Sequence, residues 1–150
     1  MKVAVGFDHR GVVLRPRIIA ELEALGCQVV DLGVRGRTPR VDYPDKAREL
    51  GDAIRSGAAE RGVLVCSSGV GASVAACKVA GIRAAICHDV YSAHQGVEHD
   101  AMNVLCLGSE IVGGEIAAEL VRAFVRARFT GGTRYVRRLE KLKALELHAR

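Results

Sequence analysis

Short apolar runs alternate with stretches of helical periodicity along the whole chain. Lys2–Phe7 reads as a first strand. Val12, Ile18, Ile19, Leu22 and Leu25 recur at helical spacing and Gly26 closes that run, so residues 12–25 are predicted helical. Residues 27–32 form the next strand, and a polar loop over 33–44 leads to a helix at 45–59, started by Asp45 just after Pro44. A third strand covers 62–66, followed by Ser67-Ser68-Gly69-Val70-Gly71 and a helix at 72–80. Residues 82–87 and 103–107 complete five strands. A long amphipathic helix at 113–128 is broken by Gly131-Gly132, and a last helix runs over 134–148.

This alternation, with Val-, Ile- and Ala-rich strands, predicts an α/β fold: three α/β/α layers around a five-stranded parallel, Rossmann-like sheet. Its 150 residues form one domain, without repeat or linker. In such sheets ligands bind beyond the carboxyl ends of the strands, near the point where the winding direction switches. The rule selects the loops at 8–11, 67–71, 88–91 and 108–114.

Composition narrows the function classes. Apolar residues make up 49% and charged residues 26%, an ordinary globular balance. No apolar run reaches the roughly 18 residues of a membrane span, and the start turns acidic at Asp8, too early for a secretory signal. A cytoplasmic protein with no membrane partner is expected. The net charge of +5 is uneven: residues 122–150 carry nine basic and two acidic side chains. With 4% aromatic residues and no reader motif, a nucleic-acid partner is not expected. Five cysteines without a Cys-x-x-Cys pair predict neither a disulfide scaffold nor structural zinc. The histidines at 88, 94 and 99 are spaced by six and five, which does not place all three on one helix face, so no metal is expected.

Candidate chemistry concentrates in the selected loops. In Cys66-Ser67-Ser68-Gly69-Val70-Gly71-Ala72, a glycine-rich turn entering a helix offers backbone N–H groups to an anion beside a thiol. The same residues also suit a capped helix entry with a buried cysteine. A dinucleotide fingerprint would need glycine where Val74 stands, and a cysteine phosphatase loop would need arginine where Ala72 stands. Asp8-His9-Arg10-Gly11 is either a polar site at a strand end or a helix cap with an exposed histidine. Asp42-Tyr43-Pro44 alone is a turn before a helix. His99 suits proton shuttling near neutrality. Three guanidiniums at 134, 137 and 138 suit a phosphate or a solvated face. Leu139, Leu142 and Leu145 give the last helix an apolar side that must bury against something, such as another subunit.

In this order, Asp8-His9-x-Gly11, Asp42-Tyr43-Pro44, the segment 62–71, Gly81-Ile82-Arg83-Ala84-Ala85, His99 with Asn103-Val104-Leu105, and Phe129-x-Gly131-Gly132 resemble the ribose-5-phosphate isomerase B and galactose-6-phosphate isomerase family over essentially the whole chain. The resemblance implies aldose–ketose isomerisation of a sugar phosphate through an enediolate, with no cofactor. It also implies a homodimer or homotetramer with sites between subunits, the C-terminal helix packing on the partner. Carried onto this chain, it makes Cys66 the base, with Ser68 as a catalytic hydroxyl. His99 opens the sugar ring and Asp8 assists. Ser67, Gly69, Val70 and Gly71 hold the enediolate, Tyr43 lines the site, and His9, Arg137 and Arg134 meet the phosphate. Four positions depart from the family pattern. Asp100 stands where asparagine is common, Glu110 and Thr133 where arginine is, and Val97 where a basic residue is frequent. The expected substrate is ribose 5-phosphate. Another tetrose, pentose or hexose phosphate, or a silent sugar-binding member, is the alternative.

Overall fold

The structure is a computed structural model that describes residues 1–148; residues 149 and 150 of the expected domain lie outside the described residues. Five parallel strands form the sheet: β1 (Lys2–Phe7), β2 (Gln28–Asp31), β3 (Arg61–Cys66), β4 (Ala84–Ile86) and β5 (Val104–Gly108), in the order β2-β1-β3-β5-β4. From β1 the chain winds outward to β2 and then returns to place β3 on the opposite side, so the switch lies between β1 and β3. Period-2 alternation sorts the side chains. Val3, Val5, Phe7, Val63 and Val65 face one helical layer, while Ala4, Leu64 and Cys66 face the other.

The helices are α1 (Arg15–Ala24), α2 (Tyr43–Arg55), α3 (Val70–Ala76), α4 (Val90–Asp100), α5 (Gly114–Arg126) and α6 (Thr133–His148). Ile18 and Leu22 of α1, Ala93 and Val97 of α4, and Leu120 and Phe124 of α5 cover the first face. Ala47 and Leu50 of α2, with Ala72 and Ala76 of α3, cover the second. The predicted three-layer α/β/α architecture is the one observed.

The boundaries differ where backbone chemistry overrides periodicity. Residues 11–14 form a 3-10 turn, and α1 starts only at Arg15 because Pro16 suits the first helical turn, where its missing N–H costs nothing. Pro44 plays the same part in α2, which starts at Tyr43 rather than Asp45. Helix α4 is not among the elements the hydropathy pattern marks. Only Ala93 and Val97 of its eleven residues are buried, too few for a visible apolar stripe, and it starts from Asp89, whose carboxylate accepts the Ser92 N–H at 2.7 Å.

Candidate active site

Strand β3 ends at Cys66, on the face covered by α2 and α3, and the thiol is buried. The chain then turns through Gly69, whose φ of +82° is a left-handed conformation that glycine adopts without strain. The turn brings the Gly69 N–H back onto Cys66 Sγ at 3.1 Å, while Ser68 Oγ accepts the Val70 N–H at 3.2 Å. Ser73 N–H is the first to bond back, to the Gly69 carbonyl at 3.0 Å. The N–H groups of Gly71 and Ala72 therefore lie in the opening turn, where a helix offers no internal acceptor.

The loop is held from the next strand. Ser109 N–H donates to the Cys66 carbonyl and Glu110 N–H to the Ser67 carbonyl, each at 2.9 Å. A side chain on Gly108 would come within 2.7 Å of the Ser68 backbone, so only glycine permits this approach. Gly108 N–H in turn donates to His88 Nε2 at 3.0 Å; burial lowers the His88 pKa, which keeps the ring a neutral acceptor. Burial also pushes the Cys87 thiol up to about 11 and raises Cys106 well above its ordinary value, so both persist as thiols at neutral pH.

Across the switch point, Asp8 follows β1. Its Oδ1 accepts the N–H groups of Arg10 and Gly11 at 2.8 and 2.6 Å, and its own N–H donates to the Val65 carbonyl at 3.1 Å. The Asp8 carboxylate is thus the cap of the following turn and a buried polar group beside the Cys66 loop at once. His9 Nδ1 lies 3.2 Å from the Val41 carbonyl oxygen, fixing the ring to the loop before α2. At the rim Arg10 donates to Glu110 at 2.6 Å, so the carboxylate at position 110 is paired.

Tyr43, at the start of α2, lays its ring over Gly71: a Cβ there would sit 2.6 Å from the ring's Cζ. Gly71→Ala is expected to displace the half-exposed Tyr43 ring while costing about 1 kcal/mol or less in stability, because the ring can swing outward. A changed tyrosine ring environment in NMR at near-unchanged Tm would check this; unchanged Tyr43 signals would contradict it.

The remaining candidates lie elsewhere. Helix α4 leaves the carboxyl end of β4 and runs back toward the start of β5, which carries His99 on the order of 15 Å from the end where Cys66 sits. There the His99 ring stacks on Tyr135 of α6, with centroids 4.2 Å apart. Arg134 donates to the Tyr135 hydroxyl and lies over its ring at 4.6 Å. Arg137 and Asp100 are exposed beside this cluster. Within one chain the structure therefore gathers Asp8, His9, Tyr43, Cys66, Ser67, Ser68, Gly69, Val70 and Gly71 at one end of the sheet, and His99, Asp100, Arg134 and Arg137 at the other. Among the described residues no hydrogen bond, ion pair or ring contact joins the two groups. Tyr135 and Gln95, which hold His99, were not candidates in the sequence. Gln95 precedes His99 by four residues, a neighbour only once α4 is known to be a helix.

Beside α6 an apolar groove of about 640 Å³ runs along edge strand β4, lined by Ile82, Ala84, Leu139, Leu142 and Leu145 among others. The predicted apolar side of α6 is thus half covered by its own chain, and Leu142 and Leu145 stay exposed. No group of three or more metal-ligating side chains occurs among the described residues, and no helix there is long and apolar enough to cross a membrane.

Comparison with known proteins agrees with this fold. Ribose-5-phosphate isomerase B of Escherichia coli is 41% identical over 145 residues, covering 97% of this chain and 96% of that one. D-erythrulose-4-phosphate isomerase of Pectobacterium atrosepticum is 37% identical over 132 residues, 88% of this chain and 87% of that one. The structure of Clostridium thermocellum ribose-5-phosphate isomerase B superposes with a TM-score of 0.95 at 39% identity, each chain fully covered. Fold and relatives together define an enzyme, a sugar-phosphate isomerase. Residues 3–142 match the family described as Ribose/Galactose Isomerase, and the chain belongs to that family.

Proposed function

We propose that the protein interconverts ribose 5-phosphate and ribulose 5-phosphate through an enediolate, in sites that two copies of the chain complete. The observation that carries this reading is the Cys66 loop: a buried sulfur with a backbone donor on it, beside the first-turn N–H groups of Gly71 and Ala72. A proton next to a carbonyl needs a base and an anion hole, and this loop supplies both. Cys66 as thiolate takes the proton from C2 of the open aldose and returns it to C1, while the Ser68 hydroxyl carries the second proton between O2 and O1. Ser67 and the Gly69–Ala72 backbone hold the enediolate, whose oxygen takes the free first-turn N–H groups of Gly71 and Ala72, each donor contributing about 3 kcal/mol to the transition state. Asp8 orients the sugar hydroxyls, Tyr43 covers the chain, and His9 meets the phosphate.

Opening the furanose and completing the phosphate site fall to His99, Asp100, Arg134 and Arg137. Because α4 and α6 hold them at the far end of the sheet, they serve the Cys66 loop of a partner copy. The exposed Val70, Val74 and Ile111 around that loop, and Leu142 and Leu145 on α6, suit the contact surface of a homodimer. No membrane or nucleic-acid partner is invoked, and a cytoplasmic location fits a sugar-phosphate substrate.

Ring chemistry supplies a test. Ribose 5-phosphate closes a furanose through its 4-hydroxyl, whereas a tetrose 4-phosphate carries phosphate on that oxygen and cannot. His99→Asn is expected to lower turnover of ribose 5-phosphate by about a hundredfold, and that of erythrose 4-phosphate far less. Equal losses on both sugars would remove ring opening from His99.

A further inference from the structure

The clamp on His99 is more elaborate than a surface histidine requires. Gln95, one helical turn earlier on α4, places its side-chain nitrogen 2.7 Å from His99 Nδ1. Tyr135 Oη lies 3.0 Å from Nε2, and the two rings stack with their planes 14° apart. Tyr135 is itself buried, and its hydroxyl receives the Arg134 guanidinium. The approach of α6 is also fixed. Thr130 donates twice to the Glu98 carbonyl, from its N–H and its Oγ1, each at 3.0 Å. Gly131 turns the chain at a φ of +67°, and a Cβ on Gly132 would press on the Tyr135 ring at 3.2 Å.

We propose that Gln95 and Tyr135 are positioning residues for His99: the Gln95 amide fixes the imidazole in the tautomer protonated at Nε2, and the stacked Tyr135 ring fixes its plane. The Gln95 amide N–H donates to Nδ1, so that nitrogen carries no proton. With the rings stacked, Tyr135 Oη lies over the face of the imidazole and takes the Arg134 N–H, while Nε2–H points outward in the ring plane and away from Oη. Flipping the imidazole would replace Nδ1 by carbon and lose the Gln95 bond, while stacking resists tilting. The ring is thereby aimed before any sugar arrives, and Nε2 is the nitrogen left to exchange a proton with a sugar oxygen. This catalytic consequence rests on the ring-opening role proposed for His99; the grip itself does not.

The test is Gln95→Leu in the full chain, which keeps the size of the side chain and removes the amide N–H. Long-range proton–nitrogen NMR of the histidine rings, with no sugar present, is expected to show His99 protonated at Nε2 in the parent and as a tautomer mixture in the variant. Turnover of ribose 5-phosphate should fall roughly tenfold, the scale of losing an orienting partner, with a much smaller loss on erythrose 4-phosphate. An Nδ1-protonated parent ring, or ring signals unchanged by the substitution, would overturn the proposal. So would equal losses on the two sugars. If the parent turned over neither sugar, the proposed substrate would fail, while the NMR result would still decide whether Gln95 holds His99.

Discussion

Replacing Cys66 by alanine is expected to lower turnover of ribose 5-phosphate by about 10²–10⁴-fold, the range for removing a positioned base, and to leave the fold in place. The sulfur ends β3 facing α2 and α3, where alanine fits the same small space, and the loop stays tied by the Ser109 and Glu110 N–H groups to backbone carbonyls that the substitution does not touch. The anion hole is backbone and survives, so the variant should still bind the sugar. Circular dichroism and Tm would check the fold, and steady-state kinetics the loss. The other buried thiols make a useful contrast. Burial keeps Cys87 and Cys106 protonated, so neither can replace the missing base. A Cys66→Ala protein retaining more than a tenth of the parent rate would place the base elsewhere.

Gly11→Ala is expected to be the most damaging single methyl group in the chain. A Cβ there would lie 2.1 Å from the Val65 carbonyl oxygen and 2.6 Å from its carbonyl carbon, both backbone atoms of β3 that no side-chain rotation can clear. The turn must move away from the sheet, and the Asp8 carboxylate then loses the Gly11 N–H it accepts at 2.6 Å. Overpacking of this kind costs about 1–3 kcal/mol or more, and each kcal/mol lowers Tm by roughly 2–4 °C at this chain length. Because Asp8 N–H also donates to the Val65 carbonyl, the displacement reaches both sides of the Cys66 loop, so activity should fall together with stability. A variant with parent-like Tm and turnover would show that the turn and β3 do not pack this closely.

The two halves of the proposed site were legible to different degrees. The Cys66 loop could be found from sequence because its chemistry is local: a strand ends, glycines turn the chain, and a helix begins within seven residues. Asp8-His9 was legible for the same reason: the carboxylate caps the following turn, while His9 is half-buried and tied to the Val41 carbonyl rather than exposed. What the sequence hides is where His99 points. That depends on α4, whose two buried side chains give no periodic signal, and without that helix Gln95 is not a neighbour of His99. Tyr135 is hidden among arginines, and only tertiary packing shows that its hydroxyl receives the Arg134 guanidinium in this chain. The separation of the two halves is likewise a property of topology. A parallel sheet returns each connecting helix to the start of the next strand, which moves the last turn of α4 away from the strand ends where ligands bind.

Proton transfer between C1 and C2 of a sugar phosphate by Cys66 can be followed by proton NMR in deuterated water. With ribose 5-phosphate and the parent protein, ribulose 5-phosphate should form with solvent deuterium at C1, and both should be lost in Cys66→Ala. Deuterium entry and product formation that persist in the variant would contradict the assignment of the base. Absence of both in the parent protein would contradict ribose 5-phosphate as the substrate.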